Sequence, residues 1–352
     1  MNWQSEFKRN LNRILLQDSR SEIDRIWKVY FNLVLEQNIK EAVDLVVNFD
    51  RNQPRWPKGH PQGGQWKEKG TGGSYDAKGK QWLGKDGNPL SADDQQRLRS
   101  LKTPPGWTDV RLNPDPKAGL QVVGTDSKDR DQPIYTKEHH EQKAMEKWER
   151  IRRLNPKIDG ITNGSKDRMN DPSLSQTDRD SSAALYLITQ TGIRPGSTAD
   201  TKAEKQAYGA TTLEGRHVTI DGNSINVNFT GKKGVRQDVN LSDPGLANYI
   251  RHKNTGINDK VFGTTNMRRA MDSVGGRDFS PKDIRTWKGT ETALYEVKKL
   301  PVPRTKKEFK ASVKAVSTKV SEVLGNTPTV ALKSYIAPQV FHKWESALNI
   351  GK

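Results

Sequence analysis

Apolar residues along the chain keep two rhythms, and the places where the rhythm changes divide it into segments. Ile23, Ile26, Trp27, Tyr30, Val34 and Leu35 recur at the spacing of one helix face, behind Ser21 and an acid three residues on at Asp24. Residues 2–49 are therefore expected to form a helical extension with its own apolar stripe. From Arg51 the rhythm is lost in the run Gln53-Pro54-Arg55-Trp56-Pro57-Lys58-Gly59-His60-Pro61-Gln62-Gly63-Gly64-Gln65-Trp66 and the Gly-rich stretch after it. Proline and glycine at this density break both helix and central strand, so residues 51–78 read as a linker. Between Gly79 and Lys137 the pattern predicts short strands at 107–112, 119–124 and 132–136, separated by Asn113-Pro114-Asp115-Pro116 and by residues 126–131. Near His139 the helical rhythm returns, with Ala144, Met145, Trp148, Ile151 and Leu154 on one face.

Beyond Asn155 the chain reads mostly as helix, with one sheet signal. Residues 217–220 and 224–229 flank Asp221-Gly222, a pair that supplies the positive φ angles of a tight hairpin. Residues 235–241 suit a third strand, which makes Gly231-Lys232-Lys233-Gly234 the second turn and lets a lysine project from it. Ser280-Pro281-Lys282-Asp283 gives an N-cap, a first-turn proline and an acid at the third position, so Arg285 falls early in a helix. Thr305 with Glu308 is a second capping box, followed by Phe309, Val313, Val316, Val320 and Leu324 before Gly325 ends the pattern. No internal repeat is found. The chain is thus expected to be α+β: a helical extension over 1–50, a linker over 51–78, a small β-rich domain over 79–137, and a mainly helical domain with a small antiparallel sheet over 138–352.

Composition narrows the partners. Only 32% of the 352 residues are hydrophobic, and Lys plus Arg outnumber Asp plus Glu by 59 to 42, a formal net charge of +17. Such an excess attracts polyanions through counterion release, so nucleic acid is the expected partner. No apolar run approaches the roughly 18 residues that span a bilayer. The N-terminus lacks the apolar core of a secretory signal, and a cytoplasmic protein without membrane contact is expected. The absence of cysteine excludes disulfides, thiolate metal sites and cysteine nucleophiles. The six histidines are scattered apart from His139-His140, and no familiar acidic metal cluster occurs, so neither a metal nor a cofactor is expected.

Metal-free chemistry on a phosphodiester needs cationic groups against the non-bridging oxygens, a proton for the departing sugar oxygen and a nucleophile. Four islands offer such a set: Gly192-Ile193-Arg194-Pro195-Gly196, Gly231-Lys232-Lys233-Gly234, Lys282-Asp283-Ile284-Arg285 and Ser334-Tyr335-Ile336. Singly, none is diagnostic, because a surface Arg or Lys is ordinarily a solvated charge and a Tyr is ordinarily packing.

In order and context these islands resemble the type IB DNA topoisomerases of poxviruses and bacteria. The resemblance runs from Pro105 to Pro338 through Thr191-Gly192-Ile193-Arg194, Tyr208-Gly209-Ala210-Thr211-Thr212-Leu213, Phe279-Ser280-Pro281-Lys282-Asp283-Ile284-Arg285-Thr286-Trp287 and Leu324-Gly325-Asn326-Thr327-Pro328. It implies a clamp of a small β-rich domain and a mainly helical catalytic domain around duplex DNA. It also implies that Arg194 and Arg285 hold the scissile phosphate, Lys232 acts as general acid and Tyr335 attacks phosphorus to give a 3′-phosphotyrosine. Where poxvirus enzymes carry histidine nine residues before the tyrosine, Asn326 stands here, as in bacterial-type relatives; it donates a hydrogen bond but does not titrate. DNA contacts are implied for Lys282, Tyr135, Lys233, Arg130 and Tyr208. The segment from Gly124 to Tyr135 departs from the pattern at Asp131 and Pro133, which places an extra negative charge near phosphate and removes a tyrosine.

Two other readings share parts of this picture. Tyrosine recombinases have the same catalytic architecture, but most carry histidine three residues before the second arginine, where this chain has Lys282. The Pro/Gly/Trp run resembles a short motif of bacteriophage proteins, including head-associated ones, which implies a phage origin and motivates a virion or packaging protein with an idle topoisomerase-like domain. A monomer is expected, with a phage or host protein as partner through residues 1–78.

Overall fold

In a computed structural model of the chain, residues 73–201, 206–253 and 255–348 are described. The helical stripe over residues 2–49 and most of the linker lie outside the described residues. The chain divides into two compact units that meet between Glu146 and Lys147.

In the first unit, β1 (Ser74–Asp76) and β2 (Gln81–Leu83) form an antiparallel hairpin, and α1 (Ala92–Ser100) follows. Then β3 (Thr108–Leu112), β4 (Leu120–Thr125) and β5 (Asp131–Tyr135) make a three-stranded antiparallel meander. These three strands lie within one residue of the expected segments. Val110 and Leu112 face inward from β3 and join Val122, Trp82 and Leu98 in one core, with Tyr75 edge-on to Trp82 at 5.2 Å. The linker reading ends too late: β1 lies within residues 51–78, pinned by reciprocal backbone bonds of 2.8 Å between Gly73 and Val110. The helix α1 was also not expected. Its N-cap is Ser91, which accepts from the Asp94 amide at 3.1 Å, and its inward side chains are Gln95 and Leu98. The helix α2 (Lys137–Leu154) runs from this unit into the next.

The second unit is built around α4 (Gln176–Thr191), whose residues from Ala183 to Ile188 are all buried. Beside it lie α3 (Ile158–Asn170) and α6 (Pro244–Lys253), while the short α5 (Thr198–Thr201) follows it in sequence. Two buried carboxylates tie α4 and α6 together. Asp180 accepts from the Tyr249 hydroxyl at 2.7 Å and from Lys253 at 2.8 Å, and Asp243 accepts from Tyr186 at 2.7 Å and Lys166 at 2.6 Å. Each charge is paired and hydrogen-bonded, the condition under which burial is tolerated.

The sheet of this unit is β6 (Val218–Asp221), β7 (Ser224–Thr230) and β8 (Arg236–Ser242), antiparallel throughout. Asp221 pairs with Ser224, so the first turn is centred on Gly222-Asn223, with Gly222 at φ +54°, one residue later than Asp221-Gly222. The helices α7 (Met267–Ser273), α8 (Pro281–Lys298), α9 (Lys306–Leu324), α10 (Pro328–Tyr335) and α11 (His342–Ala347) complete it. Both expected capping boxes start helices: Ser280 over Asp283, and Thr305, whose hydroxyl accepts from Glu308 N at 3.1 Å. Gly325, at φ +54°, ends α9 and turns the chain toward α10.

Candidate active site

Arg285 lies in the first turns of α8, 1% exposed, where the Ser280 cap fixes the start of the helix. Its two terminal nitrogens bridge separate parts of the chain: one donates to the Gly192 carbonyl at 2.6 Å and the other to the Leu324 carbonyl. Those carbonyls close α4 and α9, at glycine or just before one. Gly192 itself sits at φ +69°, a left-handed conformation that glycine takes without strain. The guanidinium has five N–H donors, so these two bonds leave three. Its Nε is buried without a partner among the described residues.

Tyr335, the last residue of α10, presents its ring to this group, with the Arg285 guanidinium carbon 4.9 Å from the ring centroid. Arg194, just past the α4 terminus, brings a second guanidinium within 5.9 Å of the same ring. Burial pushes the Tyr335 hydroxyl up, but Arg285 and then Arg194 outweigh it and hold its pKa below that of a free phenol. Burial lowers the Arg285 pKa, which Tyr335 opposes and Arg194 reinforces. A cation facing an aromatic ring is attracted to its electron-rich face, which helps hold both guanidiniums at this tyrosine.

The Arg194 loop is fixed by the Tyr208 to Leu213 segment. Ala210 N donates to the Arg194 carbonyl at 2.8 Å, and Thr211 N to the Pro195 carbonyl at 2.7 Å. Gly209 lies so close that a Cβ there would meet the Arg194 carbonyl oxygen and Gly196 N, both at 2.5 Å. Two sequence islands are therefore one structural piece. On the other side Asn326 follows Gly325; both its amide nitrogen and its amide oxygen are buried without a partner among the described residues. A buried amide in that condition bears a desolvation cost that an oxygen acceptor would offset.

Lys232 and Lys233 occupy the β7–β8 turn, both exposed, with Lys233 at φ +64°. Among the described residues neither ammonium has a hydrogen bond or ion pair. The structure thus joins Arg194, Arg285 and Tyr335 directly and places Asn326 two residues after the carbonyl that Arg285 holds. It leaves Lys232 on an exposed turn whose strand is tied to the same corner. That tie is Gln237 of β8, which donates to the Gly325 carbonyl at 3.2 Å and fills the space a Cβ on Gly325 would need.

Residues 136–350 match the family model of the catalytic core of eukaryotic DNA topoisomerase I, and residues 80–126 match the N-terminal domain of bacterial DNA topoisomerase IB. The chain belongs to the type IB DNA topoisomerase family. It is 26% identical over 268 residues to the DNA topoisomerase 1B of Acanthamoeba polyphaga mimivirus, covering 70% of this chain and 79% of that one. It is 25% identical over 272 residues to the DNA topoisomerase 1B of vaccinia virus, covering 72% and 83%. A solved XerH site-specific recombinase bound to difH substrate is similar at a TM-score of 0.31 and 13% identity, over 53% of this chain and 52% of that one, too slight to bear on fold or function.

The side chains expected to bind DNA in this topoisomerase-family chain lie in different settings. Lys282 is exposed at the start of α8. Tyr135 is half-buried and stacked on His139 at 4.5 Å. Arg130 is exposed, but it pairs with Asp126 at 2.6 Å, and this bond above all holds the Asp126 carboxyl down to about 2. Tyr208 is buried at 7% exposure, its hydroxyl engaged by Arg216 at 2.9 Å and Gln206 at 3.2 Å, so it lies inside the unit instead of on an open face.

Sequence reasoning missed the residues that hold the tyrosine. Thr290 donates to the Tyr335 carbonyl at 3.1 Å and accepts from Ala337 N at 3.2 Å, gripping the backbone on both sides. Gly289 lets α8 and α10 touch: a Cβ there would lie 2.7 Å from the Tyr335 carbonyl oxygen and 2.9 Å from its Cβ. They follow Arg285 by four and five residues along α8, and no local pattern in the sequence marks them. Among the described residues no helix is long and apolar enough to cross a membrane.

Proposed function

We propose that this chain relaxes supercoiled duplex DNA by breaking and rejoining one strand at a time, with Tyr335 as the nucleophile. The observation that carries this reading is the Tyr335 ring facing two guanidiniums at 4.9 and 5.9 Å in a chain of the type IB family. The phenolic oxygen gives up its proton to solvent water and attacks phosphorus, the bond to the 5′ oxygen breaks, and the 3′ end is held as a phosphotyrosine. Lys232 protonates the departing oxygen, which leaves as a 5′-hydroxyl. Arg194, Arg285 and the Asn326 amide donate to the phosphate oxygens as charge builds on them, the contribution for which fixed donors are most effective. One phosphodiester is exchanged for another, so the 5′-hydroxyl can reverse the attack after the duplex swivels, without nucleotide hydrolysis.

Lys282, Lys233 and Tyr135 contact the DNA backbone in this reading, and the charge of +17 supports binding that depends little on base sequence. The protein acts as a monomer in the cytoplasm of a host cell, and the Pro/Gly/Trp run supports a phage source, with residues 1–78 available to a phage or host partner. The test is supercoiled plasmid incubated with the protein in chelator and without nucleotide. A ladder of relaxed topoisomers is expected from the native protein and none from Tyr335→Phe. Unchanged supercoiling with protein in excess over plasmid contradicts the reading and favours an idle DNA-binding domain. Products with exchanged partners favour a recombinase.

A further inference from the structure

Lys147, the first residue of the second unit, reaches the backbone immediately before Tyr335, a contact that the mechanism does not use. Its ammonium donates to the Ser334 carbonyl at 2.6 Å, on the residue immediately before the nucleophile, and lies 4.1 Å from the centroid of the Trp148 ring. The carbonyl belongs to the last turn of α10, where the helix dipole favours a cation. Among the described residues the other charged groups acting on it are Lys282 at the start of α8, Arg150 one turn along α2, and Asp283. Asp283 is already engaged on both oxygens: Arg150 Nε donates to one at 3.0 Å, and Ser280 N and Oγ donate to the other at 2.9 and 2.8 Å. Lys147 is therefore a half-buried ammonium with two cationic neighbours, no carboxylate of its own among the described residues, and two N–H donors beyond the bond to Ser334. Burial, then Lys282 and Arg150, against the opposing pull of Asp283, bring it down to about 8.

A cation placed so is disfavoured until an anion joins it, and the anion native to this site is a DNA phosphate. We propose that Lys147 and Lys282 together seat a backbone phosphate beside Tyr335, while the Lys147 bond to Ser334 fixes the backbone that carries the nucleophile. This rests on the strand-breaking reading of the same site. The linkage has a definite sign. The free protein loses the Lys147 proton as pH rises through about 8, and the complex keeps it to higher pH because the phosphate stabilises the charged form. Above about pH 8, DNA binding takes up a proton and weakens as pH rises; well below it, the lysine is charged in both states and neither effect occurs.

The experiment is isothermal titration of a short duplex into full-length Tyr335→Phe protein, which binds without cleaving, at pH 8.5 and 6.5 in buffers of differing ionisation enthalpy. A group titrating near 8 is about three-quarters neutral at pH 8.5, so uptake of roughly 0.7 proton per duplex is expected there and none of this origin at pH 6.5. Lys147→Arg keeps the charge without titrating and is expected to bind the duplex with that uptake abolished. Lys282→Gln removes a repelling neighbour, lifts Lys147 in the free protein and is expected to shrink the uptake. Duplex binding without proton uptake at pH 8.5, or uptake that persists in Lys147→Arg, overturns the inference alone. Absence of duplex binding at either pH overturns the DNA reading and the inference with it.

Discussion

Arg285 faces Tyr335 and holds the carbonyls of Gly192 and Leu324 with one planar group, so in the proposed mechanism a single guanidinium has both a structural and a chemical part. A lysine keeps the charge but cannot span two carbonyls in a plane. Arg285→Lys is therefore expected to slow strand cleavage by ~10²-fold or more, the usual loss when a fixed donor to a developing oxyanion is removed. It should also destabilise the protein by about 1–3 kcal/mol for a buried carbonyl left without its donor. Single-turnover cleavage and thermal denaturation measure the two effects separately. Arg194 is half-buried, and its main influence on Tyr335 is electrostatic. The phenolate fraction grows with pH up to the folded pKa of Tyr335, which the guanidiniums hold down, so cleavage by the native protein should level off below the pH at which a free phenol ionises. In Arg194→Ala the rising limb of the rate profile is expected to move to higher pH; an unmoved limb contradicts this assignment. Stability follows the same linkage: the lowered phenol stabilises the fold fully above the free-phenol pKa and loses this effect as pH falls through the folded value.

At the scale of the element, the decisive contact is that of α8 against α10, where Gly289 permits the approach and Thr290 grips the backbone of Tyr335. Gly289→Ala puts a methyl group against backbone, which cannot rotate aside, so α10 must move. Overpacking of this kind costs about 1–3 kcal/mol, and the accompanying shift of the tyrosine is expected to lower relaxation by ~10²-fold in a protein that still folds. Circular dichroism with plasmid relaxation checks both. The starts of α8 and α9 were legible because Ser280 with Asp283 and Thr305 with Glu308 are local signals that need no tertiary partner. The meander was legible because its strands are bounded by Asp, Asn and Pro turns. By contrast α1 reads Ala-Asp-Asp-Gln-Gln-Arg-Leu-Arg-Ser and offers Leu98 as its one large apolar residue, so no periodicity marks it. The three-residue strands β1 and β2 are too short to alternate, and nearby glycines make β1 look like linker. The grip of Gly289 and Thr290 was invisible because it depends on the tertiary contact of two helices.

Over the whole molecule, charge and convergence answer different questions. The excess of 59 basic over 42 acidic residues was enough to point to a polyanion, since long-range attraction depends on the sum of charges. It could not say which of 59 cations matter, because that depends on where α4, α8, α9 and α10 end. The resemblance of the islands to type IB topoisomerases named Arg194, Arg285 and Tyr335 together, and in the structure the Gly192 and Leu324 carbonyls meet at a single guanidinium. Lys232 was legible as a turn lysine, and it lies exposed on that turn, as the general-acid part of the proposal requires. The central claim is that Tyr335 carries the broken strand. It is tested most directly by trapping the protein on a nicked duplex whose downstream fragment dissociates after cleavage, then mapping the modified peptide by mass spectrometry. A nucleotide attached through its 3′ phosphate to Tyr335, and no adduct from Tyr335→Phe, is the expected result; an adduct on another residue, or one that survives in Tyr335→Phe, contradicts it.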